Sequence, residues 1–191
     1  MLGRGQLPLA ARGRADKLRA HVKLPALTPL VAAFLRRGHP YALPLIVSAI
    51  LGNLATEQIL EDAGQPGMPL DDSYIHFVYA RRFAEGAPFT FGLGDGFSSG
   101  ATSFLWPLLL APFYFVGFKG LSLVYVVWVI GTLLHAAVAV ETKRLAEGIA
   151  GKAAGVGAAA MCLLFGAFAW FAWSGMETMA LAWAMTRTLR M

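Results

Sequence analysis

Charged positions cut the chain into long apolar runs. No Asp, Glu, Lys or Arg occurs in residues 38–56, 96–118, 120–140 or 153–176, runs of 19, 23, 21 and 24 residues. A bilayer core about 30 Å thick takes roughly 20 apolar residues at about 1.5 Å each. The pattern predicts membrane-crossing helices at about 41–60, 121–141 and 153–174. A further apolar helix starts at 178 and stops at Met191 after 14 residues, too short for a complete crossing, so a truncated chain is expected.

The run 101–118 is ambiguous, because Pro107 and Pro112 interrupt it. It reads either as a crossing or as a reentrant or surface helix. Cytoplasmic segments carry an excess of Lys and Arg. If 101–118 does not cross, Lys143, Arg144, Lys152, Arg187 and Arg190 share the cytoplasmic side and Glu177 faces out; only Lys119 is then misplaced. The non-crossing reading is preferred. Residues 61–120 then form an outer loop with six carboxylates, Glu61, Asp62, Asp71, Asp72, Glu85 and Asp95. Within it, 72–85 is expected to be a short amphipathic surface helix, with Ile75, Val78, Tyr79, Arg82 and Phe83 near one face. Asp71, Asp72 and Ser73 should cap its start, and Gly86 its end.

Composition agrees with this picture. Hydrophobic residues make up 57% of the 191 positions and charged ones 14%, and the mean hydropathy is +0.59. Soluble domains average roughly 25% charged residues, so soluble, disordered and disulfide-scaffold classes are excluded. The expected fold is an all-α integral membrane protein, a polytopic helical bundle over 41–191 behind a basic tail, 1–40. That tail holds eight of the 16 Lys and Arg and only one acid, Asp16. It reads as a cytoplasmic topology signal. No aromatic precedes Phe34 to stack a base, so no nucleic-acid partner is expected. Membrane lipid is. The single cysteine, Cys162, rules out an intrachain disulfide.

The chemistry-bearing candidates lie outside the apolar runs. Asp71 and Asp72 are adjacent carboxylates at a helix start, able to act as a general base, to hold a divalent cation, or merely to cap. Glu177, in Ser174-Gly175-Met176-Glu177-Thr178, is either a helix-start residue or a member of an acidic cluster facing the same compartment. Arg81 and Arg82 suit head-group phosphate or simple snorkelling. His76 has no second histidine or cysteine at i+4 and reads as a surface-helix residue. His135, inside a span, is expected to make an interhelical hydrogen bond. Trp106, Trp128, Trp170 and Trp173 read as an interfacial belt. The tract 91–96 resembles a glycine-rich phosphate loop but lacks the flanking strand and helix.

Three segments together carry a resemblance. Asp71-Asp72-Ser73-Tyr74-Ile75-His76-Phe77-Val78-Tyr79-Ala80-Arg81-Arg82-Phe83-Ala84-Glu85-Gly86 resembles the first outer loop of GT-C glycosyltransferases, nearest the bacterial polyprenyl-phosphate-dependent group that includes arabinofuranosyltransferases. Gly100-Ala101-Thr102-Ser103-Phe104-Leu105-Trp106 resembles that group's G-x-T-S-x-L-W segment. Ser174 to Thr178 resembles its S-G-L-E-T pattern. His76 stands where the family often has Ser, and Val78 where it often has Arg. The resemblance implies an inverting transfer from a polyprenyl-phosphate sugar donor to a glycan or lipid acceptor, at the outer face of a bacterial inner membrane. It implies Asp71 as general base, Asp72 and Glu177 orienting the acceptor or a cation, and Arg81, with Tyr74, on the substrate. It leaves the metal open and implies a longer chain with more spans. A non-catalytic membrane protein or inactive remnant is the alternative.

Overall fold

The computed structural model describes residues 39–191, and the basic tail, apart from its last two residues, lies outside them. The described chain is all-helical, with no strand. Six helices follow in order: α1 Ala42–Ala63, α2 Asp71–Ala84, α3 Leu105–Phe115, α4 Leu121–Leu164, α5 Gly166–Trp170 and α6 Thr178–Leu189. Two of them, α1 and α4, are long and apolar enough to cross a membrane.

Helix α1 has 22 residues and ends on Gly64, whose left-handed backbone (φ 68°) returns its N–H to the Leu60 carbonyl. Only Ala42, Pro44, Ser48 and Gly52 are buried along it. This narrow stripe of small residues faces α4, while Leu43, Ile50 and Leu54 remain exposed. An apolar helix so little covered by protein suits a lipid surround.

Helix α4 carries 44 residues, but Gly151 leaves the helical region at φ 84°, ψ 178°. The chain reverses there, and the two limbs pack antiparallel. A Cβ on Gly155 would lie 2.2 Å from Glu147 Cγ, and His135 Nε2 lies 3.0 Å from the Cys162 carbonyl oxygen. His135 Nδ1 also meets Ser48 Oγ at 3.1 Å, so this imidazole ties α1 to both limbs as expected.

The returning limb departs from expectation. A continuous helix over 153–174 is predicted, yet the helix ends at Leu164 and Phe165 is extended (φ −75°, ψ 101°). Five helical residues of α5 and a turn follow. Breaking the helix lets two groups dock that a straight helix would carry past their partners. The Ala172 carbonyl oxygen sits where a Cβ on Gly131 would be, 1.7 Å away, and Trp173 donates Nε1 to Thr132 Oγ1 at 3.0 Å.

Helix α3 has 11 residues, spanning about 17 Å, well short of a bilayer core. It packs against α2, and the Tyr114 hydroxyl donates to the Phe77 carbonyl at 3.0 Å. A single apolar core including Phe77, Trp106, Leu110, Leu123, Trp173 and Met179 joins this pair to α4 and α6. The expected tryptophan belt is corrected accordingly. Trp106, Trp128 and Trp173 are buried, and of the four only Trp170 is exposed.

Two polar clusters stand at opposite ends of the helices. Tyr41, Glu141, Arg144, Arg187 and Arg190 meet at one. His76, Thr102 and Glu177 meet at the other. The 12-residue α6, about 18 Å long, runs from the second to the first.

Candidate functional site

Helix α2 begins at Asp71, and both acids lie in its first turn with Arg81 and Arg82 in its last, a distribution that complements the helix dipole. The expected side-chain cap is absent. Leu70 is the N-cap residue, in extended conformation, and makes no capping bond. The Ser73 hydroxyl is used elsewhere: buried, it donates to the Ser174 carbonyl at 2.6 Å. Trp106 Nε1 donates to the Gly175 carbonyl at 3.0 Å. The 174–178 turn is therefore held from both of the other two motif segments.

Gly175 is required at this junction. Its φ is +87°, and a Cβ there would stand 2.7 Å from Ser73 Cβ and 2.8 Å from Met68 Sδ. The close approach brings Glu177 over α2. His76 Nε2 lies 3.2 Å from Glu177 Oε2 and 3.3 Å from Thr102 Oγ1, and Thr102 donates to Glu177 Oε1 at 3.0 Å. His76 is 1% exposed. Its Nδ1 and the Glu177 Oε2 have no hydrogen-bond partner, so the 3.2 Å approach is an electrostatic contact without hydrogen-bond alignment.

Burial pushes the His76 pKa below its ordinary 6.5, against the opposing pull of Glu177 and then Asp72. The imidazole is thus neutral at pH 7. Asp72 stands one helical turn before His76 and belongs to the same face. Asp71 and Asp72 are both exposed and have no hydrogen-bond or ion-pair partner among the described residues. They project about 100° apart around the axis. Their acceptor oxygens are free for a ligand.

The remaining candidates lie elsewhere. Tyr74 and Arg81 occupy the far side of α2 and line an apolar cavity of about 690 Å³ with Phe77, Val78, Tyr114 and Lys119. The Tyr74 hydroxyl accepts from the Met68 N–H at 3.0 Å, and Arg81 Nε lies 3.6 Å from Glu85 Oε1. Arg81 is ten residues from Asp71, about 15 Å along the helix, so the two do not share one reacting centre. Arg82 is buried and spent on the following loop, through Nε to the Phe91 carbonyl at 3.1 Å and Nη1 to Glu85 at 2.7 Å. No group of three or more His, Cys, Asp or Glu side chains among the described residues is placed to hold a metal ion.

His76, Thr102, Ser73 and Tyr79 escape the motif-by-motif reading. Tyr79 fixes the loop before Thr102, with its hydroxyl 2.6 Å from Ser98 Oγ and accepting from the Gly100 N–H at 2.9 Å. The signal for His76 is its i+4 spacing from Asp72, and that for Thr102 is its place in the Gly100–Trp106 segment.

Comparison with family models, with curated proteins and with solved structures finds no match for the chain.

Proposed function

We propose that the chain is a membrane glycosyltransferase of the GT-C type, carrying its acceptor site at the outer end of a helical bundle. In this reading α1, the two limbs of α4 and α6 cross or enter the inner membrane, and the tail is cytoplasmic. Helices α2 and α3 lie at the outer surface. The donor is a polyprenyl-phosphate sugar and the acceptor a hydroxyl of an envelope glycan or lipid. One observation carries the reading: the three segments that resemble the family, separate in sequence, make direct contacts around His76 and Glu177.

Asp71 takes the acceptor hydroxyl proton as the hydroxyl oxygen attacks the anomeric carbon with inversion, and the donor phosphate leaves with the bonding pair. Asp72 and Glu177 orient the acceptor by receiving hydrogen bonds from its other hydroxyls. The Thr102 hydroxyl, itself contacted by Nε2 of neutral His76, holds Glu177 in place. Arg81 has no part in this centre at its distance from Asp71. General-base help is worth about 10²–10⁴ in rate. Asp71→Asn should lower sugar transfer by that factor in membranes supplied with polyprenyl-phosphate-linked radiolabelled sugar, with expression and insertion unchanged, because Asp71 is exposed and unpartnered. Transfer at the wild-type rate would remove Asp71 from the base role.

A second reading is favoured by a specific observation. His76, Thr102 and Glu177 contact one another, with His76 buried and Glu177 half-buried, as a latch between helices would be. In a non-catalytic membrane protein, Glu177→Gln would lower stability, and no polyprenyl-phosphate sugar would be consumed by any variant or by the wild type.

A further inference from the structure

The opposite end of the bundle gathers more positive charge than it neutralises. Glu141 is buried, and it receives Arg144 Nη1 at 3.2 Å, Arg187 Nη1 at 3.4 Å and, closest of all, Arg190 Nε. The Tyr41 hydroxyl reaches Glu141 Oε1 at 3.4 Å, and the Arg144 guanidinium lies over the Tyr41 ring at 5.6 Å. Three guanidinium charges on one carboxylate leave a net charge of +2. Glu147, the nearest other acid on α4, is occupied by Lys143 at 2.6 Å.

A guanidinium offers five donors in a planar fork, and one carboxylate cannot satisfy three forks. The exposed parts of these side chains are the unused parts. Relative exposure is 43% for Arg187, 34% for Arg144 and 28% for Arg190, against 2% for Glu141. Glu141 thus gathers the guanidiniums from below, and their outer edges face away from it. The cluster is built from α4, α6 and the start of α1, where exposed apolar helix surface ends. Lipid phosphate lies at that depth when α1 crosses a bilayer.

We propose that Arg144, Arg187 and Arg190 form a binding site for the phosphate of an anionic phospholipid head group, preorganised by Glu141. The apolar flank of α1 offers the acyl chains a surface beside it. The site rests on the membrane placement of α1 and is independent of sugar transfer. It lies at the end away from His76 and Glu177.

The test uses the full chain in a non-ionic detergent, with thermal unfolding followed against added lipid. Dioleoylphosphatidylglycerol should raise the Tm saturably, and dioleoylphosphatidylcholine should not. Basic residues near a membrane surface contribute about 1 kcal/mol each. The double substitution Arg187→Ala with Arg190→Ala should therefore weaken apparent phosphatidylglycerol affinity by roughly thirty-fold. Arg187→Lys with Arg190→Lys keeps the charge while losing the fork, and should give an intermediate loss. This pair also serves if the alanine variant does not fold. Lys152→Ala, outside the cluster, should bind as wild type does.

Equal shifts with both lipids would overturn the proposal. So would full affinity in the lysine pair together with the alanine pair, or an equal loss in Lys152→Ala, which would mean diffuse surface charge. Inorganic phosphate reproducing the shift at millimolar concentration would overturn the lipid assignment.

Discussion

At Gly175 two constraints coincide, a positive φ and a close approach to Ser73 and Met68. A left-handed backbone costs an L-residue about 1–2 kcal/mol, and overpacking adds about 1–3. Gly175→Ala should therefore destabilise the protein by about 2–5 kcal/mol and displace Glu177 from His76. Chemical denaturation of the variant in detergent checks the first, and recovery of stability in Gly175→Ala with Ser73→Gly checks its cause. His76 gives a pH dependence. Its folded pKa lies below its unfolded 6.5, so the unfolded state binds more protons as pH falls. Stability from this group is full above about pH 6.5 and declines below it, down to the folded pKa. Thermal unfolding of wild type and His76→Gln across pH 5–8 should show a part of the acid-side decline that the variant lacks. The acids and Glu177 stood out in the sequence as candidate chemistry, and the structure brings Glu177 to the His76 face of α2. The histidine's contact with Glu177, 101 positions away, did not stand out there, and only its i+4 spacing from Asp72 pointed to it.

At the scale of elements, the periodic and charge-free segments were the readable ones. Helix α1 starts within a residue of its expected start, and α2 begins one residue before its own. The break at Phe165 was hidden, because a 24-residue apolar run contains no signal that Trp173 will seek Thr132. The missing cap of α2 has the same origin, since Ser73 finds a tertiary acceptor in Ser174. The reversal in α4 depends on a backbone conformation nearly exclusive to glycine. A Cβ on Gly151 would meet nothing within 4 Å, so its substitution isolates the backbone term. Gly151→Ala should cost about 1–3 kcal/mol, with the helical content by circular dichroism unchanged. An unchanged stability would mean that the limbs do not reverse at this residue.

For the whole molecule, the separation of two polar ends organises the rest. One end holds an acidic group around a neutral histidine, and the other holds three arginines on a buried glutamate. In the sequence the Lys/Arg bias alone points to this separation, and with it to the non-crossing reading of the 101–118 run. The short α3 packs on α2, and its Trp106 holds the Gly175 carbonyl so that Glu177 stands beside His76. Sugar transfer at one face and lipid phosphate at the other both need these ends on opposite sides of a bilayer. Single cysteines placed in a Cys162→Ala background test this most directly, with an impermeant thiol reagent applied to intact cells. Asp71→Cys should label in intact cells, and Lys152→Cys only after the membrane is disrupted. Labelling of both positions from outside, or of Lys152→Cys alone, would contradict the account.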